Sequence, residues 1–335
     1  MDNARKPLRI GILGAAGIAP RAIVFPAHAT GHQLFAVGAR DKSRAEEFAK
    51  QYQIKKAYGS YQQVIDDPDV DVIYNALHNG AHAPWNIKAL AAGKHVLSEK
   101  PSVSNAAEAK EVLAATNKSG KVFMEAFHYY YHPMFQRLLT IIKSGEIGEV
   151  IKVESALLTP TPDKSDLRMQ FALAGGSLMD VGCYALHSQR MISQLIADGE
   201  PTIVKTDSNA ADGEVDTKLY IQLKYPNGVS GLARGDMETP VFNAPLTVTG
   251  SKGSVHLPNF VSVLDPRVIV DLAGNKRVEH MPSLSTYTYQ LLAFAEAVDL
   301  GKALKTDAKD ALVQATLIDA AYLAANLPIR PSFKI

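Results

Sequence analysis

Arg9-Ile-Gly-Ile-Leu-Gly14-Ala-Ala-Gly17-Ile-Ala19 is the stretch that decides the fold. It is an apolar run of strand length that passes through glycines into a helical pattern. Such a strand, turn and helix lets the backbone approach a pyrophosphate at a helix N-terminus, so it predicts a dinucleotide site. The spacing departs from the usual fingerprint, because Ala16 stands where a second close-approach glycine is expected. A tight turn without a ligand is the alternative interpretation.

A second segment, Val96-Leu-Ser-Glu99-Lys100-Pro101, ends an apolar strand with a lysine. In an open parallel sheet, ligands gather at the carboxyl ends of the strands, so we expect this ammonium beside the cofactor. It could hydrogen-bond a substrate hydroxyl and lower the pKa of a neighbouring acid, although most lysines simply lie on the surface. The predicted cofactor contacts are Gly11, Gly14, Ala15, Ala16, Gly17, Ile18, Arg40, Leu77, Asn79, His82, Glu99 and Lys100.

Composition describes an ordinary globular protein. The 335 residues are enough for a large core and about two domains, and 35 basic residues against 34 acidic ones give a net charge of +1. This charge provides no basic field for nucleic acid or membrane lipid, and no apolar run approaches the roughly 20 residues of a membrane span. The single cysteine, Cys183, excludes an internal disulfide. We therefore expect a cytoplasmic protein without a signal peptide and without nucleic-acid or membrane partners.

The first part of the chain alternates strands with helices, which is typical of a parallel βαβ sheet. The predicted strands are Leu8 to Leu13, Gln33 to Ala39, Val70 to Leu77, His95 to Ser98 and Val122 to Ala126. The predicted helices are Ser43 to Tyr52, Ala81 to Ala92 and Ser104 to Lys118. Ser104 is the expected N-cap of the third helix, and Gly93 and Gly120 are the expected ends of the last two.

The pattern changes after residue 127. A helix near Met134 to Lys143 precedes a run from Glu149 to Leu158, and several extended runs follow between residues 202 and 280. Pro226-Asn227-Gly228 is a hairpin signal, because Asn-Gly accepts the positive φ angles of a tight turn. Helices at about 286 to 300 and 307 to 327 close the chain. We predict an α/β protein: a doubly wound Rossmann domain, 1–127, and an α/β domain with a large, mostly antiparallel open sheet, 128–335.

The end of the second strand reports on the adenosine ribose of the cofactor. An acidic residue there binds the 2′-hydroxyl of NAD, whereas an arginine pairs with the 2′-phosphate of NADP. Arg40 comes first and Asp41 follows it, so we predict NADP, with NAD as the alternative. Asp41 has a second interpretation as the cap of the next helix.

A third group of residues lies in the segment from Gly175 to His187. If the chain is helical from Asp180 onward, then Asp180, Tyr184 and His187 share one face, since helical neighbours recur three and four residues apart. Three proton-handling groups would then point the same way. The alternative is an amphipathic helix that Asp180 caps and whose His187 is a core histidine.

Two histidines lie four residues apart in His128-Tyr-Tyr-Tyr-His132, a spacing that suits metal ligands. No third ligand accompanies them at a useful spacing, and Pro133 follows directly, so we predict no metal site. We expect this aromatic stretch to line a substrate pocket instead.

These motifs together resemble the glucose-fructose oxidoreductase / inositol dehydrogenase (Gfo/Idh/MocA) family. The matching segments are Gly11-Ile-Leu-Gly14, Ala92-Gly-Lys-His-Val-Leu97, Glu99-Lys-Pro101, Met124-Glu-Ala-Phe127 and Gly176-Ser-Leu-Met-Asp-Val-Gly-Cys-Tyr184. The resemblance implies a Rossmann domain, a second domain whose open sheet often builds a homodimer, and catalytic roles for Lys100, Tyr184 and Asp180. A tyrosine at 184, where many inositol dehydrogenases have histidine, is similar to the dihydrodiol and xylose dehydrogenase branch.

The resemblance predicts NAD(P)-dependent oxidation of a hydroxyl on a sugar-like molecule. Tyr184 would take the proton, and Lys100 would favour its phenolate form, because a phenol with an ordinary pKa of about 10 is weakly ionised at neutral pH. The predicted substrate contacts are Lys100, His128, Tyr130, Asp180, Tyr184 and His187. A trans-dihydrodiol dehydrogenase, a keto-sugar reductase and a non-catalytic dinucleotide-sensing regulator are the alternatives. We also predict a cis peptide bond between Lys100 and Pro101.

Overall fold

The computed structural model describes residues 6–211 and 214–335 of the chain. Its contacts divide it into two compact units. The first consists of the chain up to Phe127 together with Tyr287–Ala315 and Ser332–Ile335, and the second of His128–Thr286 and Thr316–Pro331. Two C-terminal segments, Tyr287–Ala315 and Ser332–Ile335, therefore belong to the first unit. The predicted boundaries, 1–127 and 128–335, place both segments in the second domain. Within the described ranges, no helix combines the length and the apolarity needed to cross a membrane.

The helices in chain order are α1 Phe25–Thr30, α2 Lys42–Tyr52, α3 Tyr61–Asp66, α4 Asn79–Ala91, α5 Ala106–Ser119, α6 Pro133–Lys143, α7 Cys183–Ala197, α8 Thr286–Leu300 and α9 Ala308–Ala324. The predicted helices are all present, and no end differs from its predicted position by more than three residues. The cap of α5 differs from the prediction: Asn105 Oδ1, not Ser104, accepts a hydrogen bond from the Glu108 backbone N–H at 3.1 Å. Ser104 instead donates its backbone N–H to the Glu108 carboxylate, so the N-cap lies one residue later than predicted.

The sheet of the first unit contains β1 Arg9–Leu13, β2 Gln33–Gly38, β3 Lys56–Tyr58, β4 Val72–Asn75, β5 His95–Ser98 and β6 Phe123–Glu125. All six are parallel, in the order β3-β2-β1-β4-β5-β6. This is the doubly wound order, with its switch point between β1 and β4, where such sheets bind ligands. The Rossmann prediction is confirmed. The short strand β3 was not predicted, because a three-residue run of half-buried side chains has no apolar pattern.

Close packing beneath the glycine loop requires glycine in β1. A Cβ atom at Gly11 would lie 2.6 Å from Val64 Cγ1 and 2.9 Å from Val70 Cγ1, both in the apolar core of this unit. Gly11 therefore lets β1 pack tightly against the segment of α3. This close contact between strand and core is one reason for glycine at this position.

The sheet of the second unit contains β7 Val150–Leu158, β8 Thr202–Ala211, β9 Val215–Lys224, β10 Ser230–Asp236, β11 Leu246–Gly250, β12 Gly253–Leu257, β13 Arg267–Leu272 and β14 Asn275–His280. The order is β14-β13-β12-β11-β7-β10-β9-β8, and every neighbouring pair is antiparallel except β7 with β10. The predicted hairpin joins β9 to β10, where Gly228 has a φ of 92° and donates to the Tyr225 carbonyl. The large, mostly antiparallel sheet is confirmed.

Helix α7 lies against this sheet, and the buried side-chain amide of Gln189 makes hydrogen bonds between them. Gln189 Nε2 donates to the carbonyls of Val153 and Leu232 and to Ser155 Oγ, and Tyr225 donates its hydroxyl to Gln189 Oε1 at 2.7 Å. These bonds reach β7 and β10 at once. They fix the axial position and the rotation of the helix whose first turn carries Tyr184.

Candidate active site

The glycine loop has the geometry of a dinucleotide cradle. Gly14 follows β1 with a φ of 97°, a conformation that favours glycine, and its N–H donates to the Gly38 carbonyl at 2.9 Å. A Cβ atom at Gly17 would meet no atom within 4 Å, so the turn after Gly14 opens onto free space. The helical segment that follows begins with a π-helical turn at Pro20–Val24. The residues present therefore fit a dinucleotide whose phosphates approach the backbone here.

The end of β2 presents two arginines and a carboxylate that is already bound. Asp41 is the N-cap of α2: its Oδ1 accepts from the Ser43 N–H at 2.9 Å and from the Ser43 hydroxyl at 2.8 Å. These bonds lower the pKa of Asp41. Arg40 and Arg44 are exposed, both act electrostatically on Tyr61, and Arg44 Nη2 lies 3.4 Å from the Ala15 carbonyl of the glycine loop. Arg44 was not predicted, because its position in α2 follows the expected strand end by four residues.

One buried side chain, His82, connects the loops that follow β4 and β5. His82 Nδ1 lies 2.7 Å from the Pro101 carbonyl and Nε2 lies 2.8 Å from the Leu77 carbonyl. Burial lowers the pKa of His82 to about 4, against the opposite effect of the two carbonyls. Both ring nitrogens therefore contact backbone, so His82 connects the two loops. Asn79 is the first residue of α4, directly after the loop that contains Leu77.

Glu99 is the first residue of the Glu-Lys-Pro motif. It is buried and accepts a hydrogen bond from the Tyr74 hydroxyl at 2.7 Å. Burial raises its pKa, and the neighbouring Lys100 charge opposes that effect. The Lys100–Pro101 peptide bond is cis, as predicted.

The second unit brings together two tyrosine–histidine pairs. His128 Nε2 lies 2.9 Å from Tyr184 Oη, and Tyr129 Oη lies 2.7 Å from His187 Nδ1. The two pairs join the 3₁₀ turn at His128–Tyr131 to α7. His187 is completely buried, which agrees with the alternative interpretation of a core histidine. Tyr130 is half-buried and packs against Tyr131 and Phe135.

Asp180 belongs to a π-helical turn, Leu178–Gly182, and not to the regular α-helix that the sequence pattern assumed. The turn runs directly into α7. A close approach between two glycines accommodates it, since a Cβ atom at Gly235 would lie 2.6 Å from Gly182 Cα. Asp180 therefore does not cap α7, and its carboxylate is 24% exposed beside Arg168.

A buried ion pair supports this turn from behind. Asp216 Oδ2 accepts from the Leu178 N–H at 2.7 Å and from the Ser177 hydroxyl at 2.8 Å, while Asp216 Oδ1 binds Arg330 and the Tyr322 hydroxyl. Both charged side chains are completely buried. Burial raises the pKa of Asp216, and the Arg330 charge is the main opposing effect.

The two histidines four residues apart have separate partners. His132 is the N-cap of α6: its Nδ1 accepts from the Met134 N–H, and its Nε2 lies 3.1 Å from the Pro282 carbonyl. Among the residues that the structure describes, no group of three or more His, Cys, Asp or Glu is arranged to hold a metal ion.

Comparison with known proteins decides the family. Residues 8–127 match the family model described as "Oxidoreductase family, NAD-binding Rossmann fold", and residues 135–256 match the GFO/IDH/MocA C-terminal domain. D-xylose 1-dehydrogenase (NADP(+)) 2 from Haloferax volcanii is 33% identical over 325 residues, which are 95% of this chain and 98% of that protein. The chain belongs to the Gfo/Idh/MocA family. The predicted family and the prediction of an oxidoreductase, rather than a regulator, are confirmed.

Other relatives of this Gfo/Idh/MocA protein have different names. Trans-1,2-dihydrobenzene-1,2-diol dehydrogenase from Bos taurus is 36% identical over 68% of this chain and 66% of its own length. Among solved structures, a 3-ketoreductase from Actinomadura kijaniata in complex with NADP and TDP-benzene has a TM-score of 0.85 at 26% identity, covering 95% and 98% of the two chains. An aldose-aldose oxidoreductase from Caulobacter crescentus in complex with glycerol has a TM-score of 0.86 at 27% identity, with 96% and 98% covered.

Proposed function

We propose that this Gfo/Idh/MocA protein transfers hydride between a nicotinamide dinucleotide and the hydroxyl or carbonyl carbon of a sugar-like polyol, with Tyr184 as the acid–base residue. The observation that carries the proposal is the 2.9 Å hydrogen bond between Tyr184 Oη and His128 Nε2. A phenol bonded to an imidazole can release and regain a proton without changing its position. Asp180, four residues earlier, supplies a carboxylate for a second hydroxyl.

Side chains of the protein accept and donate the proton of the reaction. When bound, the nicotinamide supplies the hydride chemistry. During oxidation, the proton of the phenol first moves along the hydrogen bond to His128 Nε2, and the resulting phenolate takes the proton that is released as the O–H bond of the substrate breaks. During reduction both transfers run backwards. We assign to Lys100 an electrostatic preference for the phenolate, and to Asp180 the orientation of the substrate carbon.

NADP is the proposed cofactor, and NAD is the weaker alternative. Asp41 Oδ1 accepts both hydrogen bonds of the α2 cap, which disfavours a second role for this carboxylate at a ribose 2′-hydroxyl. Arg40 and Arg44 are exposed cations that suit a 2′-phosphate, and Arg44 contacts the glycine loop. The glycine loop and the remaining predicted contacts would hold the pyrophosphate and the nicotinamide.

D-Xylose is the first substrate to test, because the relative that matches nearly the whole chain is named for it. A trans-dihydrodiol is the second, on the 36% identity to the bovine enzyme, and a keto-sugar is the third. We also propose that the chain forms a homodimer through the open sheet of the second unit.

Replacement of Tyr184 by Phe tests the proposal. Turnover of D-xylose should fall by about 100-fold or more, the range that general acid–base catalysis supplies, while NADPH binding stays within twofold. The matched control is Tyr129→Phe, which removes the hydroxyl of the other tyrosine–histidine pair and should keep its turnover. Steady-state rates with NADP and NAD, together with NADPH fluorescence titration, measure both effects. Unchanged turnover in Tyr184→Phe would remove the tyrosine from the mechanism.

A further inference from the structure

Arg168 lies beside Asp180 and is held there by a second carboxylate. Its Nε and Nη2 each donate to an oxygen of Asp166 at 2.9 Å, which is a bidentate pair. Its remaining terminal nitrogen, Nη1, lies 3.6 Å from Asp180 Oδ2. Asp166 and Asp180 together raise the pKa of Arg168, with Asp166 as the larger cause. One guanidinium therefore spans two carboxylates, and Asp166 fixes its plane.

The backbone of Arg168 is fixed as firmly as its side chain. The Gly176 N–H donates to the Arg168 carbonyl at 2.8 Å, and a Cβ atom at Gly175 would lie 2.5 Å from that same oxygen. Only a residue without a side chain lets the two segments approach this closely. The pair of glycines thus places Arg168 next to the π-helical turn that carries Asp180. The position of the Arg168 backbone is therefore fixed by backbone contacts.

The chain contains a matched pair that lacks the second carboxylate. Arg267 makes the same two bonds to Asp265, through Nε and Nη2, at the same spacing of two residues. The two arginine side chains are equally exposed, at 41% each. Within residues 6–211 and 214–335, Arg267 has an ion pair with Asp265 alone. The contact with Asp180 is therefore one that Arg168 makes and that is not described for Arg267.

We propose that Arg168 is a positioning and specificity residue that makes Asp180 and itself a receptor for two neighbouring oxygens of the substrate. This inference rests on the function proposed above. Asp180 accepts a hydrogen bond from one hydroxyl, and Arg168 Nη1 donates to the oxygen on the adjacent carbon. Arg168 also limits the rotation of the Asp180 carboxylate. The site therefore selects vicinal diols and discriminates against analogues that lack either oxygen.

The test compares Arg168→Gln, Arg168→Lys and the control Arg267→Gln, with D-glucose, 2-deoxy-D-glucose and D-xylose as probes. Arg168→Gln should raise KM for the sugars about 10- to 100-fold, the range for a lost hydrogen bond to a charged group, and should lower kcat by less. Arg168→Lys keeps the charge but cannot bind both carboxylates in one plane, so its KM should lie between the KM of the wild type and that of Arg168→Gln. Arg267→Gln should keep wild-type constants. The preference for D-glucose over its 2-deoxy analogue should shrink in Arg168→Gln.

A second readout separates binding from turnover. The melting temperature in 100 mM sugar, with and without NADP, should rise less for Arg168→Gln than for Arg267→Gln. If Arg168→Gln does not fold, the same comparison is made with Arg168→Lys. Equal KM values and equal discrimination in the variants at 168 and 267 would overturn the inference. A wild-type protein inactive on every sugar, diol and keto-sugar tested would instead overturn the proposed function.

Discussion

Two aspartates belong to or bind one short turn, and each pairs with an arginine, yet their surroundings are opposite: Asp180 is part of the turn, and Asp216 accepts hydrogen bonds from it. Asp216 and Arg330 are completely buried. The Asp216 carboxylate also accepts hydrogen bonds from Ser177, Leu178 and Tyr322. Asp180 and Arg168 keep 24% and 41% of their side chains exposed. The comparison shows how one motif combines a fixed support with an accessible carboxylate. The buried pair supports the turn from inside, whereas the Asp180–Arg168 pair keeps part of its surface exposed to solvent.

Removal of the buried arginine is the strongest way to test this contrast. Arg330→Met should destabilise the protein by about 3–5 kcal/mol, because it leaves the charge of Asp216 buried without its partner. The guanidinium also covers the Tyr322 ring at 4.0 Å, so the variant loses packing as well. Denaturant unfolding measures the change, with Arg267→Gln as an exposed control expected to cost less than about 1 kcal/mol. A similar small cost for Arg330→Met would contradict a supporting role for the buried pair.

The same contrast explains which parts of the molecule the sequence could predict. The first unit was predicted well, because apolar strands, glycines and helix ends are local signals that repeat with a fixed period. The strand β5 has the predicted bounds, and the doubly wound order follows from the alternation of strands and helices. Asp41 as a cap was also open to sequence reasoning, since an aspartate two residues before a serine at a helix start is a local pattern.

The support of the candidate site was not predictable, because it is made by contacts between distant segments. Asp216 and Arg330 are 114 residues apart in the chain and meet only after the second sheet has formed. The π-helical turn at Leu178–Gly182 departs from the α-helical spacing that the pattern of Asp180, Tyr184 and His187 assumed. The glycine at 176 was visible in the sequence, but its reason was not. The structure shows that its φ of 127° and the contact of any Cβ with Asp216 and Arg330 require glycine there.

The two histidines of the aromatic segment extend the comparison from burial to the kind of partner. His128 contacts a tyrosine hydroxyl, whereas both ring nitrogens of His132 contact backbone. We expect His128→Gln to lower kcat by about 10-fold, less than the 100-fold or more expected for loss of the acid–base residue, because His128 acts through Tyr184; NADPH binding should change little. His132→Gln should keep its turnover and lose about 1 kcal/mol of stability as a weakened helix cap. Equal kcat values for the two variants would show that the His128 contact is structural.

The smallest expected effect concerns the partly exposed ion pair of Glu279, a residue that lies more than 60 positions along the chain from either aspartate. Arg137, and then Arg277, bind Glu279 and lower the pKa of its carboxyl from 4.5 to about 2. A pKa that is lower in the folded state stabilises that state above the unfolded value, and the contribution disappears as the pH falls from about 4.5 toward 2. Glu279→Gln should therefore cost up to about 1 kcal/mol at pH 7, and its difference from wild type should narrow between pH 5 and pH 3. Urea unfolding at several pH values measures this difference, and a gap that widened as the pH fell would show that the ion pair does not stabilise the fold.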